Sequence, residues 1–284
     1  MSQIIPEELQ FSLAGGRNPL ILLPVYVEEK GPFQFILDTG ASLCLISSEL
    51  ASTLGIQAES EKQARGAGGE IKVGLGHVRS MEAGPARQEN VQVAITNEVE
   101  RFGAAIQTKV DGNLGFNFLK HFRLTLDYRR NALRFRPSLY SQEANGLHPG
   151  AVGFTLGTGS KPLILLQALV DGHGPFQFAL DTGASLTVLA PETARGLNLL
   201  ESEACMGAGA GGKMQMTLAK VNSLTVGDVT VYDLNIVIGA FLEMIGAAVG
   251  TKLDGIVGYN FLNQCQVTID YPQRQLELTL IANG

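Results

Sequence analysis

The chain of 284 residues has no tryptophan, three cysteines and four histidines. Cys44, Cys205 and Cys265 are odd in number and form no C-x-x-C pair, which argues against a disulfide framework and against a zinc site. His77, His121, His148 and His173 share no common spacing, so no metal site and no histidine-based triad is expected of them. Basic residues are also sparse. The 21 Lys and Arg against 27 Asp and Glu leave a net charge of −6, and no basic stripe offers nucleic acid a partner. The apolar stretch over residues 20–27 is broken by Pro24 and is far too short to span a bilayer. The N-terminal residues lack a basic start followed by an apolar run, and no N-x-S/T acceptor occurs. Together these absences lead to the expectation of a cytoplasmic protein with reduced thiols and no membrane partner.

What is plentiful is glycine, 34 residues, scattered between short apolar runs as in β-rich chains. The arrangement of those runs is the strongest signal, because the chain is one sequence written twice. Residues 31–43 read GPFQFILDTGASL and residues 174–186 read GPFQFALDTGASL. Residues 103–119, GAAIQTKVDGNLGFNFL, return as GAAVGTKLDGIVGYNFL at 246–262, and Asp127-Tyr128 returns as Asp270-Tyr271. Every match has the same offset, 143 residues, so the halves align without net gaps. They must share a fold, with an approximate two-fold axis between them. The division is expected at 1–143 and 144–284, in the breaker-rich linker SQEANGLHPG over residues 141–150.

Within each half the pattern is that of an all-β fold with short helices. Strands are expected over residues 20–27 and 33–37, joined by a turn over 28–32, and again over 91–96, 123–127, 132–136 and 234–238. Ser47 or Ser48 can cap a short helix that Gly55 stops, and Pro191 occupies the matching start in the second half. Another short helix is expected over 116–122, while residues 56–62 and 97–109 read as loops that would shape pocket walls.

Each half places Asp-Thr-Gly directly after an apolar strand, at Asp38-Thr39-Gly40 and at Asp181-Thr182-Gly183. The Thr hydroxyl can bond across to the partner loop, and the Gly lets its backbone N–H approach the carboxylate. Two such loops meeting on a two-fold axis would bring Asp38 and Asp181 together. Like charges that close share one proton, so one carboxyl can act as base on a water while the other acts as acid. That chemistry needs no cofactor and no metal. Asp111 and Asp254 also recur but read as turn residues, as do Asp127 and Asp270.

In these motifs the sequence resembles the retropepsin-like aspartyl proteases. The likeness rests on DTGAS at residues 38–42 and 181–185 and on the downstream elements Asn113-Leu114-Gly115 and Ile256-Val257-Gly258. It implies two retropepsin-like lobes and an aspartic endopeptidase with Asp38 and Asp181 as the catalytic pair, supported by Thr39, Gly40, Thr182 and Gly183. It also implies mobile Gly-rich hairpins over a polypeptide substrate. Gly66, Gly68 and Gly69 in one half, and Gly209, Gly211 and Gly212 in the other, stand where such flaps belong. Because both halves lie in one chain and the linker over residues 141–150 keeps them near each other, a monomer holding an internal pseudo-dimer is expected, against a swapped dimer or a pairing of like lobes across two chains. A first repeat that begins at about residue 4 leads to the expectation of no pepsin-like pro-segment. Because Ala41 and Ala184 replace the hydroxyl residue that pepsin-like relatives carry after DTG, a milder pH range is expected as well. The alternative is a catalytically silent module that keeps the fold and binds peptide or mediates dimerisation.

Overall fold

The structure, a computed structural model, describes residues 8–16, 19–137, 148 and 150–281. Most of the expected linker, including the proposed division at residue 143, lies outside them. The two halves fold into two lobes of the same design. In the first, an eight-stranded sheet runs in the order Ser12–Ala14, Leu20–Val27, Lys30–Leu37, Gly112–Leu114, Cys44–Ser47, Ala86–Thr96, Gly69–Ala83 and Ser60–Gly66. Leu20–Val27 also pairs with Gly69–Ala83, so the sheet curls back on itself. The second lobe repeats this order and this closure with Ile164–Val170 against Gly212–Val226.

Local chemistry accounts for the elements. Glu28 and Glu29 both take positive φ, 54° and 61°, which makes a two-residue hairpin turn whose twist suits the flanking strands. The turn is therefore shorter than the five residues expected from sequence, and Lys30, Gly31 and Pro32 belong to the strand. Helix Ser48–Leu54 starts where Ser47 Oγ accepts the Leu50 N–H and stops at Gly55, which adopts φ 72°. Pro191 opens helix Pro191–Gly196 as its first residue. Residues 97–109 are not a plain loop, because they contain helix Glu98–Ala105, matched by Phe241–Val249 in the other lobe.

The lobes are joined by a third sheet. Its six strands run Glu8–Gln10, Ala132–Pro137, Phe122–Asp127, Cys265–Asp270, Gln275–Leu280 and Ala151–Gly153. Its middle is the pairing of Phe122–Asp127 with Cys265–Asp270, one strand from each lobe. There Thr125 lies opposite Thr268, its partner by repeat, with the two hydroxyls 2.9 Å apart, so the axis relating the lobes passes between them. One apolar core runs through both lobes and contains Phe35, Phe118, Phe178 and Phe261, all without solvent contact. Burying a core across the junction holds the lobes together. No helix among the described residues is long and apolar enough to cross a membrane.

Candidate active site

In each lobe the short strand after the helix threads between two others. Gly112–Leu114 runs parallel to Lys30–Leu37 on one side and antiparallel to Cys44–Ser47 on the other. The Asp-Thr-Gly turn leaves the end of Lys30–Leu37 at this crossing, where the Asp38 N–H donates to the Leu114 carbonyl at 3.1 Å. Asp181 N–H donates in the same way to the Val257 carbonyl at 3.0 Å.

The two turns lock into each other on the axis. Thr39 Oγ1 donates to the Leu180 carbonyl at 3.1 Å and accepts the Thr182 N–H at 3.0 Å. Thr182 Oγ1 donates to the Leu37 carbonyl at 2.8 Å and accepts the Thr39 N–H at 3.1 Å. Both threonines are buried, and these four bonds satisfy both hydroxyls and the backbone they face. Gly40 N–H reaches Asp38 Oδ1 at 2.9 Å and Gly183 N–H reaches Asp181 Oδ1 at 2.8 Å. A side chain at either glycine would strike the opposite carboxyl. A Cβ on Gly183 would lie 2.8 Å from Asp38 Oδ1, and one on Gly40 would collide with the Asp181 carboxyl. Glycine is thus required at both positions for the two carboxyls to face each other.

Burial is the leading cause that raises both carboxyls above their ordinary range. Each Asp is half-buried. Asp181 is pushed up to about 7, by burial first and then by the charge of Asp38. For Asp38 the effect of burial is opposed by Asn113, whose Nδ2 donates to its Oδ2 at 2.7 Å and favours the ionised form. Lys161, in the loop before Ile164–Val170, lowers both carboxyls through its charge.

The six glycines expected to form flaps stand at the tips of two hairpins. Gly66 pairs with Gly69 around Ala67-Gly68, and Gly209 pairs with Gly212 around Ala210-Gly211. The tips meet, with the Gly68 N–H donating to the Ala210 carbonyl at 2.9 Å. The contact is backbone on backbone, since a Cβ on Gly211 would lie 2.6 Å from the Gly69 nitrogen. Two supports differ between the tips. Ala67 packs against the apolar cluster of the second lobe, whereas the Gly211 N–H donates to Glu98 Oε2 at the start of helix Glu98–Ala105.

Asp111 and Asp254 serve the fold. Asp111 Oδ2 accepts the Gln34 N–H at 2.8 Å, and Asp254 Oδ2 accepts the Gln177 N–H at 3.0 Å. Asp127 Oδ1 accepts the N–H groups of Arg129 and Arg130, and Asp270 Oδ1 accepts that of Gln273. Sequence reasoning missed Asn113, Lys161 and Glu98. Their common signal is asymmetry, because the matching positions hold Ile256, Asn18 and Phe241.

No curated protein matches the chain. The family model described as aspartyl protease matches it twice, over residues 23–118 and 166–261, each match containing one Asp-Thr-Gly turn, one tip and one crossing strand. The two matches cover more than half of the residues and repeat the spacing of the internal duplication, and so the chain belongs to the retropepsin-like aspartyl protease family in a tandem, fused form.

Proposed function

We propose that the protein is an aspartic endopeptidase that hydrolyses extended polypeptide with Asp38 and Asp181 as its catalytic pair. The observation that carries this reading is the pair of facing carboxyls, each lying against the glycine of the opposite Asp-Thr-Gly turn. In the single-proton form the ionised carboxylate takes a proton from a water, whose oxygen attacks the scissile carbonyl carbon. The protonated carboxyl gives its proton to the carbonyl oxygen. The resulting gem-diol collapses as the C–N bond breaks and the amine nitrogen is protonated, so water and one peptide bond become an acid and an amine. The hairpin tips act as flaps that pair with substrate backbone and exclude bulk water. Thr39, Gly40, Thr182 and Gly183 hold the carboxyls in register. The division between lobes falls in the linker near residue 143, and the three free thiols suit a reducing, cytoplasmic setting.

The test is cleavage of unfolded casein, with and without pepstatin, by the purified chain and by Asp38→Asn and Asp181→Asn. Cleavage by the wild type, inhibition by pepstatin and loss in both variants are expected. Both carboxyls come from one chain, so co-refolding the two variants should restore nothing. A protein that binds unfolded peptide with no turnover under any condition would instead be a silent module.

A further inference from the structure

The reading above leaves the two carboxyls interchangeable, and each receives the glycine N–H of its own turn. One side chain tells them apart. Asn113 lies in the crossing strand, next to Ile36 in the parallel pairing and opposite Leu45 in the antiparallel one, with little solvent contact. Its Oδ1 accepts the Leu45 N–H at 2.7 Å. That bond fixes which end of the amide faces the dyad, because a flipped Asn113 would set its NH2 against the Leu45 donor. The end presented to Asp38 Oδ2, at 2.7 Å, can only donate. A donor with no acceptor capacity stabilises a carboxylate and cannot accept from a carboxylic acid on the same oxygen.

Across the axis the equivalent residue is Ile256, which is buried and has nothing to donate. The other groups acting on the pair are charges and backbone amides, and none is a side-chain donor to one carboxyl alone. Lys161 acts on both carboxyls, and the Gly40 N–H favours the ionised form of both. Tyr271 feels the charge of both, but burial keeps its phenol neutral, and burial likewise pushes the Cys44 thiol beside Asp38 up to about 12. The Ala41 and Gly183 amides each serve the carboxyl of their own turn.

We propose that Asn113 is a positioning residue that divides the labour of the dyad. It holds Asp38 as the ionised member and leaves the shared proton on Asp181, so that Asp38 activates the water and Asp181 protonates the scissile carbonyl. The proposal deepens the peptidase reading and rests on it for the roles of base and acid. The placement of the proton stands apart from that reading.

The experiment therefore reads the resting protein. Carboxyl carbons are followed by NMR against pH in protein labelled with 13C at Asp, with Asp38→Asn and Asp181→Asn giving the assignments. In the wild type Asp38 should ionise first and Asp181 should keep its proton through the single-proton range. Asn113→Ile, which copies the other lobe, should move the first ionisation up by about one to two pH units. The exchange Asn113→Ile with Ile256→Asn moves the donor across the axis, where Val188 lies opposite residue 256 as Leu45 lies opposite 113, and should reverse the order. Asp181 ionising first in the wild type would overturn the proposal, even if neither variant folds. So would unmoved titration curves in folded Asn113→Ile. Because no turnover is measured, a silent protein with this proton placement would defeat the peptidase reading and leave the placement standing.

Discussion

The backbone N–H of Gly211, at the tip of the second-lobe hairpin, donates to Oε2 of Glu98 in the first lobe, 3.3 Å away. Arg101 holds the other oxygen of that carboxylate at 2.6 Å, so Glu98 is a fixed acceptor and not a wandering surface acid. The matching residues across the axis are Phe241 and Met244, which cannot play this part for the first tip.

This one-sided contact predicts unequal tips. Glu98→Ala should raise amide hydrogen exchange over residues 207–213 by about tenfold, as expected for loss of a bond to a charged group. Glu98→Gln keeps an acceptor and should behave much closer to wild type. The 65–70 tip should respond less, through its single bond to Ala210. Mass-spectrometric exchange on the free protein measures all three. Equal exchange in wild type and Glu98→Ala would show that the contact holds nothing.

The proton on Asp181 should govern both rate and stability. Activity that needs this proton falls as pH rises through about 7, the value to which burial and the charge of Asp38 push the group. For stability the sign follows from where protons bind. The unfolded chain gives up the Asp181 proton near pH ~4, whereas the folded protein keeps it to about 7, so the native state loses stability over that interval. Asp181→Asn removes this liability. It should be more stable than wild type at pH 8, by on the order of 2 kcal/mol, with the difference shrinking toward pH 4. Urea unfolding at a series of pH values checks the trend, and a difference that grows on acidification would contradict it.

The crossed threonines should couple the lobes. Thr182→Val strips a donor from the Leu37 carbonyl and an acceptor from the Thr39 N–H, both buried. Leaving two such groups unpaired costs roughly 2–4 kcal/mol. Thr39→Val does the same to the Leu180 carbonyl and the Thr182 N–H. The four bonds interlock, so the double variant should lose less than the sum of the singles. A double-mutant cycle in denaturant measures the coupling, and strict additivity would mean that the two hydroxyls act independently.

Much of this was legible in the sequence because it is local or repeated. The strand before each Asp-Thr-Gly turn, the Ser47 cap, the Gly55 stop and the tip glycines depend on neighbours within a few residues. Helix Glu98–Ala105 was harder. Val99, Phe102 and Ile106 carry helical spacing, but Gly103 interrupts the run and Asn97 makes no side-chain cap. Its partner Phe241–Val249 is apolar nearly throughout and shows no period to read. Asn113 within its own half looks like one more strand residue. Only the fold brings it to a carboxyl 75 residues away, and only the second copy shows that Ile256 does without it. The Glu98 contact spans 113 residues and both lobes, so no local pattern announces it.

Thr125 and Thr268 meet on the axis as a pair of equals, yet they are spelled by separate codons. In an assembly of two identical chains each substitution is delivered twice, and one placed on the axis confronts its own image. An asparagine reaching one carboxyl would then be answered by an asparagine reaching the other, and neither aspartate would be singled out. Joining the copies in one reading frame removes that constraint. Each half can be inherited with its own changes, and a difference such as Asn113 against Ile256 becomes something that selection can keep on one side alone.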